Sequence, residues 1–204
     1  METAFRMQAE APEAFDIRRE TPETLARYGD TEIGRSCVLA RRLIERGVRM
    51  VQVYYGNSQP WDNHEDIMVH KRLAAGADSA VASLVEDLKN RGMLEDTLVV
   101  LGTEFGRTPA VENGSTTKVH FGRDHNSYGY SIAIAGGGIR GGMAYGATDE
   151  FGYRAVEKTV HPHDVNATLL HLLGLDHTRL TYRYSGRDFR LTDVHGNVLR
   201  DLLA

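Results

Sequence analysis

Two short polar segments of the sequence contain the residue types that bind metal ions. Asp62 and His64, in the stretch WDNH, offer a hard oxygen and an imidazole nitrogen that could reach one divalent ion. The same residues would also suit a polar turn, with Asp62 bonded to backbone amides and His64 exposed. Asp124 and His125 repeat the pairing in the stretch GRDHN, where an ordinary surface turn is again the alternative.

A third polar segment, GTEFGRTP, follows an apolar β-branched run and places Glu104 and Arg107 at the predicted end of a strand. Charged groups at the ends of buried parallel strands are typical of α/β enzyme sites. Glu104 could bind a metal or act as a base, and the planar guanidinium of Arg107 could bind a sulfate or phosphate oxygen. A salt bridge from Arg107 to Glu104 or Asp124 is the structural alternative. Convergence of the three segments on one site is the main sequence indication of function.

The elements that would position these segments alternate between helix and strand. Apolar residues at helical spacing predict helices at 33–46, from after residue 64 to about 91, at 162–174 and at 198–203. Apolar runs predict strands at 48–55, 97–102 and 130–135, with two short strands in 181–192. This order predicts an α/β fold, a three-layer sandwich with a mainly parallel sheet and binding groups at the carboxyl ends of its strands.

Composition limits the class of protein. The chain has 204 residues, of which 41% are hydrophobic and 25% charged, so we expect a single domain over 1–204. Within it, 1–32 is a loosely packed lead-in and 33–204 the α/β core. The net charge of -4, with signs interspersed, argues against sequence-independent binding of nucleic acid. No apolar run reaches the ~20 residues of a membrane span, and no export signal follows Met1.

Two further features have structural interpretations. Cys37 lies on a predicted helix and is interpreted as a small core hydrophobe. His161 and His163 flank Pro162 at a predicted helix start, where capping is the default role.

Longer motifs resemble a known family. The stretch AVASLVEDLKNRGMLEDTLVVLGTEFG resembles the helix, turn and strand of sulfatases and alkaline-phosphatase-like enzymes, and VHPHDVNATLLHLLGLDH resembles a later helix of that superfamily. Together with WDNH, GTEFGRTP, GRDHN, GGGIRGG and YSGRDFRLTDVHG, these motifs resemble the bacterial domain-of-unknown-function 1501 family, which is sulfatase-like, from about Gly34 onward.

The resemblance implies a metal-dependent hydrolase of sulfate or phosphate esters, the substrate being free or carried on a glycan. It implies a divalent metal (zinc, calcium or magnesium), catalytic roles for Glu104 and Arg107, and a ligand set of Asp62, His64, Glu104, Asp124 and His125. Related enzymes have Asp-His where this chain has Glu104 and Phe105. Because Phe105 cannot bind a metal, a single-metal site is expected rather than a pair of zinc ions.

The resemblance also implies that this chain corresponds to the carboxyl-terminal portion of longer relatives. Their amino-terminal half carries the nucleophile and the first metal carboxylates, and they look exported to the periplasm or cell surface. The alternative function is a non-catalytic sulfatase-like module that binds a glycan or a protein partner. A further possibility is a fragment that forms a homo-oligomer or associates with a complementing amino-terminal half.

Overall fold

The computed structural model describes residues 12–112 and 121–204, which combine helices with short strands. The beginning of the predicted lead-in and the middle of the polar loop after Arg107 lie outside the described residues. The main helices are α1 (Pro22–Tyr28), α2 (Glu32–Glu45), α3 (Val69–Asn90) and α4 (Pro162–Leu172). The strands are β1 (Val99–Leu101), β2 (Gly106–Arg107), β3 (His125–Asn126), β4 (Ala133–Ala135), β5 (Ala147–Thr148), β6 (Ala155–Glu157), β7 (Thr181–Tyr184) and β8 (Arg187–Arg190).

Helices α1 and α2 each begin at a threonine whose side chain caps the helix. Thr21 accepts a hydrogen bond from the backbone N–H of Thr24 (3.2 Å), and Pro22 occupies the first turn of α1. At α2, Thr31 accepts from the N–H of Gly34 (3.1 Å). Helix α2 therefore starts within one residue of its predicted position.

The chain divides into two compact units, and the first contains the helices α1, α2 and α3. Its described residues are 12–93, 111–112 and 121–123. Its core is a cluster of buried side chains between the three helices, namely Tyr28, Ile33, Cys37, Val38 and Ala80. The core role predicted for Cys37 is confirmed. The apolar segment 48–55, predicted as a strand, forms no strand in the described part of the chain.

A buried network of charged groups also joins the helices of the first unit. The guanidinium of Arg41, only 1% exposed, contacts Glu20 (2.5 Å), Glu45 (2.6 Å) and Asp87 (3.1 Å). The Tyr28 hydroxyl donates to Asp87 (3.0 Å). Burial opposes ionisation of Glu20 and Asp87. Hydrogen bonds from arginine, and from Tyr28 in the case of Asp87, outweigh it and lower the pKa of both carboxyls.

The second unit, residues 94–110 and 124–204, contains all the named strands and helix α4. Its sheets have two strands each and are antiparallel: β1 with β4, β2 with β3, β5 with β6, and β7 with β8. The mixture of helix and strand is confirmed, and so are the two short strands in 181–192. The mainly parallel three-layer sandwich is not confirmed, because the strands predicted at 97–102 and 130–135 pair antiparallel as β1 and β4.

Helix α4 begins as the sequence predicts. His161 is its N-cap, and its side chain accepts a hydrogen bond from the N–H of His163 (3.2 Å). Asp164 completes a capping box by accepting from the N–H of His161 (3.0 Å). The predicted terminal helix is shorter, a 3-10 turn over Arg200–Leu202. Among the described residues, no helix combines the length and the apolar character that crossing a membrane would require.

Candidate functional site

The WDNH segment is anchored to helix α3 through Trp61. The indole N–H of Trp61 donates to the carbonyl oxygen of Tyr55 (3.3 Å), and the carbonyl oxygen of Trp61 lies 2.8 Å from Nε2 of His70. The Trp61 ring meets the rings of Tyr55 and His70 edge-on, with centroids 5.5 and 5.2 Å away. These contacts fix the segment against the first turn of α3.

Two local hydrogen bonds shape the turn around Asp62. Its N–H donates to the carbonyl oxygen of Gln59 (3.0 Å), and the Asn63 side-chain amide donates to the carbonyl oxygen of Pro60 (2.7 Å). The N–H of Asp62 and the carbonyl oxygens of Gln59 and Pro60 are thus satisfied within the turn. The Asp62 carboxylate is left to interact with other side chains.

His64 lies between two carboxylates of the first unit. Its Nε2 is 2.9 Å from Oδ1 of Asp62, and its Nδ1 is 2.7 Å from Oε2 of Glu112. All three side chains are between a quarter and two-fifths exposed. Glu112 is a candidate site residue that the sequence motifs do not indicate. It lies 48 residues from His64 in a polar loop, and no motif marks it.

The loop residues around Gly122 hold Glu112 beside His64. The N–H of Glu112 donates to the carbonyl oxygen of Gly122 (3.0 Å). Gly122 in turn lies against His64, because a Cβ at this position would be 1.7 Å from the carbonyl oxygen of His64. The glycine of GRDHN is therefore needed for close approach of two backbones.

The second unit contains the other predicted site residues, on and beside the β2–β3 pair. Arg107 and His125 are opposite each other in this pair. The rings of Phe105 and His125 are stacked with centroids 4.1 Å apart, and the Arg107 guanidinium carbon lies 5.9 Å from the Phe105 centroid. Phe105 therefore supports His125 by stacking, which is compatible with the expectation that it cannot be a ligand.

The Glu104 carboxyl is held in its ionised form. A hydrogen bond from its own backbone N–H and another from the Thr103 hydroxyl (2.9 Å) lower its pKa, and the charges of Arg107 and His125 lower it further. At neutral pH this group is therefore ionised, so it could bind a cation or act as a weak base, and it cannot donate a proton.

Asp124 has a structural role in the same hairpin. Its Oδ1 accepts from the N–H of His125 (2.7 Å), and its backbone exchanges hydrogen bonds with Thr108 (2.8 and 3.1 Å). The structure therefore brings Asp62 and His64 together in one unit, and Glu104, Arg107, Asp124 and His125 together in the other. That they share one ion stays a prediction from the sequence.

The profile of the family described as "Protein of unknown function (DUF1501)" matches residues 1–203 of the chain. The chain belongs to this family. No curated protein and no solved structure matches it at a significant level. Membership of the DUF1501 family confirms that part of the resemblance, and the sulfatase-like relationship is taken up as a proposal below.

Proposed function

We propose that this DUF1501 chain is a sulfatase-like module that binds a divalent metal ion and acts on sulfate or phosphate esters. The observation that carries the proposal is the imidazole of His64 between the carboxylates of Asp62 and Glu112, at 2.9 and 2.7 Å. The motif order supports an alkaline-phosphatase-like three-layer architecture as the finer description of the fold, and that architecture is part of the proposal.

The donor atoms of this group fit a divalent ion. In octahedral coordination, two neighbouring ligand atoms that each lie ~2.1 Å from the ion, with a right angle between them at the ion, are about 3.0 Å apart. The distance of 2.9 Å between Asp62 Oδ1 and His64 Nε2 matches this spacing. In this proposal Glu112, which contacts the other ring nitrogen of His64, is the carboxylate that would orient the metal-binding imidazole. A bound ion would supply Lewis-acid stabilisation of charge on an ester oxygen.

The sequence prediction assigns the other functions that the reaction needs to residues of the second unit. The Arg107 fork suits two oxygens of a sulfate or phosphate group, and Glu104, with its lowered pKa, is available as a proton acceptor. Asp124 and His125 complete the predicted ligand set. The substrate class is therefore a sulfate or phosphate ester, free or on a glycan.

Metal content tests the proposal directly. After loading with Zn²⁺, Ca²⁺ or Mg²⁺ and dialysis, elemental analysis of the wild type should give near-stoichiometric metal, whereas Asp62→Ala and His64→Ala should give little. Glu112→Gln should weaken binding by ~10–100-fold, as loss of an orienting partner does. Asp78→Ala, at an exposed position on α3, is the matched control and should keep the metal. Unchanged metal in Asp62→Ala would contradict the proposal.

The second candidate is a non-catalytic module, and Phe105 favours it. An apolar ring stacked 4.1 Å from His125 stands where the resemblance places a metal-binding histidine. Aryl sulfate and aryl phosphate turnover separates the two candidates. If the chain is a hydrolase, the wild type turns over these esters and the Asp62→Ala and Arg107→Lys variants do not. If it is a binding module, the wild type binds a sulfated glycan and forms no product. Association with a second copy or with an amino-terminal half stays a prediction, which light scattering tests.

A further inference from the structure

A cavity of the second unit lies beside the last turn of helix α4, and the proposed function uses none of its residues. Its volume is about 390 Å³, which is within the ~300–1,000 Å³ of small-molecule sites. We call it the α4 cavity. Its lining includes His171, Leu175, Asp176, His177, Val198 and Arg200. Basic, acidic and apolar side chains thus border a single space.

Backbone hydrogen bonds hold the segments that form the α4 cavity. The N–H of Leu199 donates to the hydroxyl oxygen of Thr168 (2.9 Å), which is buried on α4, so the segment that carries Arg200 is held against the helix. After the helix, the N–H of Leu180 donates to the carbonyl oxygen of Asp176 (2.9 Å) and closes a turn. The cavity is therefore built by main-chain contacts.

The imidazole of His177 is held by a buried hydroxyl group. Its Nδ1 lies 2.9 Å from Oγ1 of Thr192, which is fully buried. A hydrogen bond at one ring nitrogen fixes the orientation of an imidazole and leaves the other nitrogen for a ligand. Nε2 of His177 is therefore the atom available to a molecule in the α4 cavity.

One positive charge at the α4 cavity has no counter-ion among the described residues. The side chain of Arg200 forms no ion pair or hydrogen bond with any residue that the structure describes. The Asp176 carboxylate is already engaged, because its Oδ1 accepts from the hydroxyl (2.7 Å) and the N–H (2.8 Å) of Thr178. These bonds lower the pKa of Asp176, and the charges of Arg179 and His177 lower it further. The guanidinium of Arg200 is thus the positive group left for a ligand.

The end of helix α4 is the negative end of its dipole and by itself opposes an anion. Its last carbonyl oxygens accept from the N–H groups of Leu173, Gly174 and Leu175 (3.0, 2.9 and 2.8 Å), so part of their capacity is used within the chain. The effect of a helix end is smaller than that of a hydrogen bond between charged groups. The guanidinium therefore decides which sign of charge the cavity favours.

We propose that the α4 cavity binds a small polyol that carries one phosphate or sulfate group. The planar fork of Arg200 suits two oxygens of such a group, and the imidazoles of His171 and His177 add ring nitrogens that donate to it. The second oxygen of the Asp176 carboxylate accepts from a hydroxyl of the same molecule, and the apolar lining residues contact its carbon atoms. Because the cavity shares no residue with the site of the proposed function, this binding does not depend on that function.

Isothermal titration calorimetry of the full chain, with a chelator present, tests this site. The chelator prevents metal-dependent hydrolysis of the probes. We expect the wild type to bind glucose 6-phosphate and glucose 6-sulfate, and the tighter of the two identifies the anion that the site prefers. Arg200→Ala should weaken binding of both by ~10–100-fold, as loss of a hydrogen bond to a charged group does. Inorganic phosphate and unmodified glucose should each bind at least ~10-fold more weakly than the esters, since each lacks one half of the contacts.

Arg183→Ala is the matched control, because it removes the same charge from an exposed side chain of β7 that does not line the cavity. It should bind as the wild type does. His177→Ala is a second test variant and should also weaken binding. Wild-type affinity in Arg200→Ala, an equal loss in Arg183→Ala, or no binding of either ester by the wild type would overturn the proposal. Glucose or inorganic phosphate bound as tightly as the esters would overturn it as well.

A further variant separates this site from that of the proposed function. In Asp62→Ala with Arg107→Lys, binding of the two esters should persist, because neither residue lines the α4 cavity. Loss of binding in that variant would assign the event to the site of the proposed function and overturn the present proposal. Binding that persists while metal uptake fails would contradict only the proposed function.

Discussion

At the scale of single residues, Cys37 shows how position on a helix sets chemical reactivity. The side chain is 3% exposed between α2 and the rest of the first unit's core, and burial raises the pKa of its thiol to about 11. Since the thiolate is the reactive form and an unfolded cysteine has a pKa of ~8.5, the thiolate fraction at pH 8 should fall roughly 200-fold on folding.

Reaction with a chromogenic disulfide reagent at pH 8 measures this effect. We expect labelling of the native chain to be at least ~100-fold slower than in denaturant, because the buried thiol is both protonated and inaccessible. Cys37→Ser provides the blank, since it removes the only thiol. Equally fast labelling of native and denatured protein would show that the Cys37 thiol is accessible to solvent and not buried in the core.

The site residues differ in how far the sequence could reveal them. The contact between Asp62 and His64 could be predicted because both lie in one motif. Glu112 could not, since its contact with His64 spans 48 residues and depends on how a polar loop folds back. Phe105 illustrates an intermediate case. Its inability to bind metal follows from its chemistry, whereas its stacking on His125 required the structure.

At the scale of elements, the loop segment around Gly122 positions His64 through backbone pairing. Phe121 donates to the carbonyl oxygen of Glu65 (3.2 Å), and Arg123 donates to that of Asn63 (3.4 Å). A Cβ on Gly122 would overlap the carbonyl oxygen of His64 at 1.7 Å, and neither backbone can yield without breaking these bonds.

Gly122→Ala should therefore move His64 away from its partners. We expect the metal affinity of the proposed site at Asp62 and His64 to fall by at least the ~10–100-fold that follows loss of an orienting partner, with helical content retained. Gly141→Ala is the matched control, since its Cβ would meet nothing within 4 Å. Wild-type affinity in Gly122→Ala would show that this pairing does not position the imidazole.

Helices could be predicted from the sequence more completely than strands, and the reason is locality. Helix α2 is specified by Thr31 as its cap and by apolar residues three and four positions apart. Whether a strand pairs parallel or antiparallel depends on a second strand far along the chain. Val99 of β1, for example, lies opposite Ala135 of β4. Alternating helix and strand suggested parallel pairing, and nothing local to β1 or β4 indicates that they run antiparallel.

At the scale of the whole molecule, ionic stabilisation is distributed unevenly between buried and exposed pairs. In the first unit, Asp87 is 10% exposed and faces the buried Arg41, whereas Asp30 is 97% exposed and pairs with Arg35 at the surface. Removing one member of a buried pair costs ~3–5 kcal/mol, and an exposed pair contributes ~0–1 kcal/mol. The buried network should therefore dominate the dependence of stability on pH.

Acid should destabilise the first unit. The pKa of Glu20 and that of Asp87 are lower in the folded state than the ~4 of an unfolded carboxyl, so their stabilisation is complete above pH ~5 and is lost as pH falls through the folded-state values. Urea unfolding followed by the fluorescence of Trp61, the only tryptophan, should give a lower midpoint at pH 3.5 than at pH 7.

Two variants serve as test and control. The Asp87→Asn variant should be less stable than the wild type at pH 7, and its stability should fall less between pH 7 and pH 3.5. The Asp30→Asn variant should behave as the wild type does. Equal wild-type midpoints at the two pH values would mean that the buried carboxylates contribute no net stability.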